Sequence, residues 1–239
     1  MGAVSCSQML IAKDVDFMIH GLIKLNLFGQ EFWITTTHVS LLIVMLVLLV
    51  LALVVNRKMK NPQEFPTGFQ NAIEMMVEML DHMVENSMGR HAKKYVNYIS
   101  SIFVFIFISN ISGLFGLRPP TADYGVTLPL GLMTFAIIQY NNIKYNKVGA
   151  FTGLFKPLPL LFPINLIGEI AVPFSLSLRL FGNVLSGTVM MALIYALLAP
   201  FAVGWPGILH IYFDIFSGAI QTYVFCMLTM VFVTEKMPE

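Results

Sequence analysis

Residues 39–55 read VSLLIVMLVLLVLALVV, with Ser40 as the one polar side chain. With its flank from Phe32, this run predicts a helix that crosses a hydrocarbon core of about 30 Å at about 1.5 Å per residue. Asn56-Arg57-Lys58-Met59-Lys60 then ends it with charge. Such a segment has lipid as its solvent. The whole composition agrees: 57% of the 239 residues are apolar, 11% are charged, and the mean hydropathy is +0.77. A soluble domain of this size carries about twice that charge. The formal charge of +1 offers no basic surface to nucleic acid. Cys6 and Cys226, the only cysteines, make neither a disulfide framework nor a metal cluster, and no cofactor is expected. Residues 1 to 16 hold Lys13, Asp14 and Asp16 without an apolar core, so no secretory signal is expected.

Further spans are predicted at about Tyr95 to Leu117, Tyr124 to Tyr140 and Ile208 to Val233. The apolar stretch Leu158 to Leu198, broken by Pro163, Gly168 and Pro173, is too long for one simple crossing, so part of it should lie obliquely. The turn residues Pro200, Gly204, Pro206 and Gly207 separate it from the last span. The reading is therefore an all-α integral membrane protein of about five spanning helices, forming one domain over 1–239. Lys and Arg cluster at 57–60, 90–94, 144–156 and 236, which the positive-inside rule assigns to the cytoplasm. That puts the N-terminal segment 1–35 outside and the C-terminus inside. Residues 67–88 differ: Phe69, Ile73, Met76, Val77, Leu80 and Val84 share one helical face, with Glu74, Glu78, Asp81 and Glu85 opposite. This predicts an amphipathic cytoplasmic helix, its acidic face either solvated or docking a cytoplasmic partner.

Once the loops are assigned, Glu169, Arg179, His210 and Asp214 remain as the ionisable groups within the spans. A charge at the bilayer centre costs at least about 2.5 to 3.5 kcal/mol. Arginine cannot avoid that cost by losing its proton. Ser175, Arg179, Asn183 and Ser186 recur on one helix face, as do His210, Asp214, Ser217 and Gln221 on the last span. Two polar stripes on apolar helices suggest an ion-accessible path. Glu169 precedes Arg179 by about 15 Å of helix, and Asp214 precedes Gln221 by about 10 Å on an antiparallel one. If Arg179 and Gln221 share a level, the acids lie on opposite sides of a fixed positive charge. That is the layout of two half-channels with a barrier between them. Blander readings exist for each group. Arg179 could be paired with a carboxylate, His210 could be a satisfied packing residue, and Glu169, with Asn165 one turn below, could merely sit at headgroup level.

The nonapeptide Ser175 to Asn183, SLSLRLFGN, closely resembles the signature of subunit a of F-type ATP synthases. Pro163 to Glu169, Ile220 to Thr229, Pro120 to Asp123 and Pro66 to Asn71 are similar to the family as well. The resemblance covers roughly residues 60 to 235. It implies a non-catalytic, ion-translocating stator of a rotary complex in a bacterial plasma membrane. Its partners would be the c-ring subunits, the peripheral-stalk b subunits and the rest of the synthase. Arg179 would face the ring carboxylates, Gln221 matches the glutamine facing that arginine, and residues 158–235 would form a long tilted hairpin. A ring carboxylate would release its ion, proton or sodium, on one side of Arg179 and reload from the other. One departure stands out: nine positions after the arginine, where many relatives carry Glu or His, this chain has Thr188. Asp214, with His210 a turn away, is then expected to carry the outer path. An ion-coupled secondary transporter with its site at Arg179 is the alternative, but such carriers show two related halves and this chain shows none.

Overall fold

The structure, a computed structural model, describes residues 21–27, 30–60, 68–147, 149, 159–197 and 205–238. The expectations placed on residues 1–20, on Leu158 and on the turn residues Pro200 and Gly204 lie outside them. The described chain opens with a hairpin, β1 (Gly21–Leu27) against β2 (Gln30–Thr35), antiparallel with Lys24 opposite Trp33 and Leu25 opposite Phe32. Seven helices follow: α1 (Thr36–Lys58), α2 (Phe69–Met88), α3 (Ala92–Ile111), α4 (Tyr124–Asn146), α5 (Phe162–Leu197), α6 (Trp205–His210) and α7 (Gly218–Glu235). A π-helical segment, Ile211–Ser217, joins α6 to α7.

The hairpin corrects the start of the first span. Phe32, Trp33 and Ile34 pair in β2, where aromatic and β-branched side chains fit a pleated surface, and the helix begins only at Thr36. Among the described residues, four helical stretches are long and apolar enough to cross a membrane: 36–58, 69–115, 162–194 and 207–235. The second runs α2 into α3 through a tight turn at Gly89, whose φ of 52° suits a residue without Cβ. The fifth long helix, α4, is as long as α1 but more polar, and it hides Thr127, Thr134 and Asn141 completely. Its length suits the expected crossing, and its polarity explains why it stands apart from the other four.

α5 is continuous over 36 residues, about 54 Å at 1.5 Å per residue, against a hydrocarbon core of about 30 Å. A helix of that length either tilts within the membrane or projects beyond it. None of Pro163, Gly168 and Pro173 breaks it, contrary to the expectation from sequence. Pro163 sits in the first turn, where its missing N–H costs nothing. Pro173 is internal and removes the donor that the Glu169 carbonyl would use. The neighbouring helix closes tightly over this point: a Cβ at Gly131 of α4 would lie 2.6 Å from the Pro173 carbonyl oxygen. Small residues let membrane helices approach in this way, since lipid supplies no hydrophobic drive between them. α7 buries Gln221, Thr222, Phe225, Cys226, Thr229 and Met230 against α3 and α5, with Ile99, Ile102, Ile106, Leu176 and Leu180 across from them.

Candidate ion path

Arg179 stands at the middle of α5 on the outward face, exposed together with Ser175, Asn183 and Ser186. Phe174 and Leu178 make the same face otherwise apolar, while Leu176 and Leu180 point inward and are buried. Among the described residues no carboxylate pairs with Arg179. The bland reading of this arginine as one half of an internal ion pair is therefore not what the geometry shows. A permanent charge on a largely apolar helix face is costly in lipid, and no described carboxylate offsets it.

One turn further along α5, Asn183 Nδ2 donates to Gln221 Oε1 and so ties α5 to α7. Gln221 is buried at 3% exposure, and its Nε2 has no hydrogen-bond acceptor among the described residues. Its level is thus that of Asn183 rather than of Arg179. Asn183, Thr188, Asp214, Ser217 and Gln221 line one small cavity, with Asn110 at its wall. Asn110 accepts from Thr121 Oγ1 at 2.7 Å and donates to the Gly218 carbonyl at 3.1 Å. Gly218 makes room for it, since a Cβ there would lie 2.9 Å from Asn110 Cβ. Asn110 and Thr121 were absent from the sequence-derived site. The available signal was Asn110 between Ser109 and Ser112 in an apolar helix, a polar cluster that lipid would penalise.

Asp214 lies on the π-helical segment, where i→i+5 bonding widens the turn. His210 Nδ1 sits 2.9 Å from Asp214 Oδ2, with side-chain exposures of 30% and 17%. The carboxyl packs on Gly113, where an added Cβ would meet Asp214 Oδ1 at 3.4 Å and Pro119 Cγ at 3.2 Å. Nothing in the sequence announced the π-helix, a form that recurs at functional sites because it re-aims one side chain.

Glu169 belongs to a second, larger cavity of about 780 Å³, lined also by Gln139, Asn142, Asn146, Asn165 and Lys236. Its Oε1 pairs with Lys236 Nζ at 3.1 Å, and its Oε2 accepts from Gln139 Nε2 at 3.0 Å. On α5 this cavity uses residues 164 to 172, and the Asp214 cavity uses 183 to 188. Arg179 lies between the two and lines neither. The intervening space is filled by Leu176, Leu180, Phe225, Cys226 and Met230, each at most 1% exposed. A larger cavity and a small one of about 20 Å³, each lined by both polar and apolar side chains, thus lie on opposite sides of Arg179 along α5, with closed packing between them. Among the described residues no group of three His, Cys, Asp or Glu could hold a metal ion.

A model of the ATP synthase A chain family matches residues 38–234. The chain belongs to that family. It is similar to the sodium-ion-specific ATP synthase subunit a of Propionigenium modestum, at 43% identity over 163 residues covering 61% of this chain and 55% of the relative. It is also similar to ATP synthase subunit a of Moorella thermoacetica, at 35% over 154 residues, 64% of this chain and 69% of the relative. The corresponding subunit of a Sulfurihydrogenibium species matches at 34% over 155 residues, 63% and 73% of the two chains. The alignment spans a little over half of the Propionigenium relative's length. As an ATP synthase A chain with several long apolar helices, the protein is a multi-pass membrane protein.

Proposed function

We propose that the chain is the ion-translocating stator subunit of a rotary F-type ATP synthase, itself without a catalytic site for ATP. The observation that carries this reading is the pair of cavities ending on either side of Arg179. A continuous pore would short-circuit the membrane. Two blind cavities move no ion unless a carrier completes the crossing beside them, and the exposed Arg179 marks where that carrier passes. Carboxylates on a neighbouring ring of c subunits fit this chemistry. Each is drawn to the guanidinium in its empty, charged form, since a nearby positive charge favours ionisation. An ion released into one cavity is replaced from the other after the ring has turned. The Asp214–His210 pair serves the outer cavity, with Asn183, Ser186 and Gln221 near the passage. Glu169 and Asn165 serve the inner one, and Ser175 lies on the Arg179 face.

The basic clusters support a cytoplasmic C-terminus, and peripheral-stalk b subunits would hold the chain against the turning ring. Each elementary charge crossing 100 mV releases about 2.3 kcal/mol, so several must pass for each ATP made. The name of the Propionigenium relative makes sodium a coupling ion to test alongside the proton. Arg179→Ala tests the reading. ATP-driven ion uptake into inverted vesicles should vanish while the complex remains assembled on native gels. Uptake at the parental rate in that variant would overturn the assignment.

A further inference from the structure

Lys236 meets Glu169 at the wall of the larger cavity, Nζ 3.1 Å from Oε1, with each side chain about a quarter exposed. Lys236 directly follows α7, where a positive charge is favoured by the carbonyl end of the helix. Asn146 Nδ2 donates to its backbone oxygen at 3.4 Å. The backbone of Lys236 is thus anchored at the helix end, and its ammonium reaches the Glu169 carboxylate. The uncharged polar groups around it are four amides, Gln139, Asn142, Asn146 and Asn165, set among apolar side chains, with Glu235 as a second acid. Amide oxygens solvate a passing cation without fixing it. A half-buried carboxylate without a counter-charge would do the opposite and trap one, because electrostatic attraction grows as water is excluded. Conduction requires sites that are entered readily and also left readily.

We propose that Lys236 is a tethered competitor for Glu169, a positioning residue that occupies the carboxylate between ions and yields to an arriving monovalent cation. The exchange leaves the site's charge nearly constant, so no ion meets a bare carboxylate and none is held long. Glu235 keeps the cavity net negative, which draws cations toward it. The inference rests on the larger cavity being the inner ion path.

The test uses the whole synthase in inverted vesicles, following ATP-driven uptake from the bath on the Lys236 side. One arm varies sodium chloride at fixed pH, and the other varies pH at fixed sodium, so that the two candidate cations are told apart. Lys236→Gln should lower the half-saturating concentration of the coupling cation by about two- to five-fold, the range that partly exposed ion pairs support. Lys236→Arg should raise it, because a guanidinium grips a carboxylate with two hydrogen bonds. A merely structural tie would change the stability of the complex in both variants and shift the half-saturating concentration in neither. An unchanged value in whichever variant assembles, or a shift in the same direction in both, overturns the proposal. A parent enzyme that pumps neither cation sinks the functional reading itself, whereas a pumping parent with indifferent Lys236 variants sinks only the competitor.

Discussion

At the scale of single residues, the duties proposed for Asp214 and Arg179 are unlike, and the two should fail in unlike ways. Asp214 contacts His210 at 2.9 Å and opens onto the cavity shared with Thr188, which cannot exchange a proton. Asp214→Asn should therefore slow synthesis and pumping together, on the order of tenfold, equivalent to about 1.4 kcal/mol of barrier. Coupling should survive, because Arg179 and the packing beside it are untouched. His210→Ala should do less, since water can replace a relay but not a cation-gathering carboxylate. Ion flux in reconstituted vesicles decides the matter: normal flux in Asp214→Asn alongside a block in His210→Ala would reverse the roles. Arg179→Lys should be nearly as inactive as Arg179→Ala. An ammonium lacks the planar fork and can surrender its proton in a dry setting.

At the scale of elements, two glycines separate what holds the helices together from what meets a partner. A methyl at Gly131 would sit 2.6 Å from the Pro173 carbonyl oxygen, so Gly131→Ala must push α4 from α5 at their closest approach. Overpacking of this kind costs about 1 to 3 kcal/mol and should appear as a lower melting temperature of the detergent-solubilised complex. Gly182 neighbours Asn183 on the exposed side of α5, and a Cβ there would meet nothing within 4 Å. Gly182→Leu should leave the chain's own packing intact yet hinder rotation, because the added side chain projects where the ring is proposed to pass. Comparing melting with the ATP-driven pumping rate separates the two effects. A Gly182→Leu enzyme that melts and pumps like its parent would place the ring contact elsewhere.

At the scale of the whole molecule, the proposed barrier between the cavities would be a volume of packed side chains as much as a charge. Phe225, buried at 1%, is its largest member, and truncating such a residue leaves a cavity costing about 3 to 5 kcal/mol in a soluble core. Phe225→Ala should raise the passive ion leak through membranes stripped of the catalytic head, even with Arg179 in place. A leak no greater than the parent's would mean that the charge alone seals the path. The sequence by itself determined that the chain lives in lipid and is built of several long apolar helices, and it singled out Arg179 as the residue that needs explaining. Those conclusions follow from solvent physics: runs such as 39–55 have no stable place in water, and a charge amid SLSLRLFGN has no cheap place in lipid. Strand pairing at 21–35, the unbroken course of α5 past Pro173 and the π-helical turn under Asp214 were not legible, since each depends on what packs alongside. Only the tertiary structure decided that Gln221 bonds Asn183, that Lys236 reaches Glu169 from the far end of the chain, and that the cavities stop short of each other. Periodicity orders residues along one helix, but the rotation and depth of one helix against another are set by side-chain fit between residues distant in sequence.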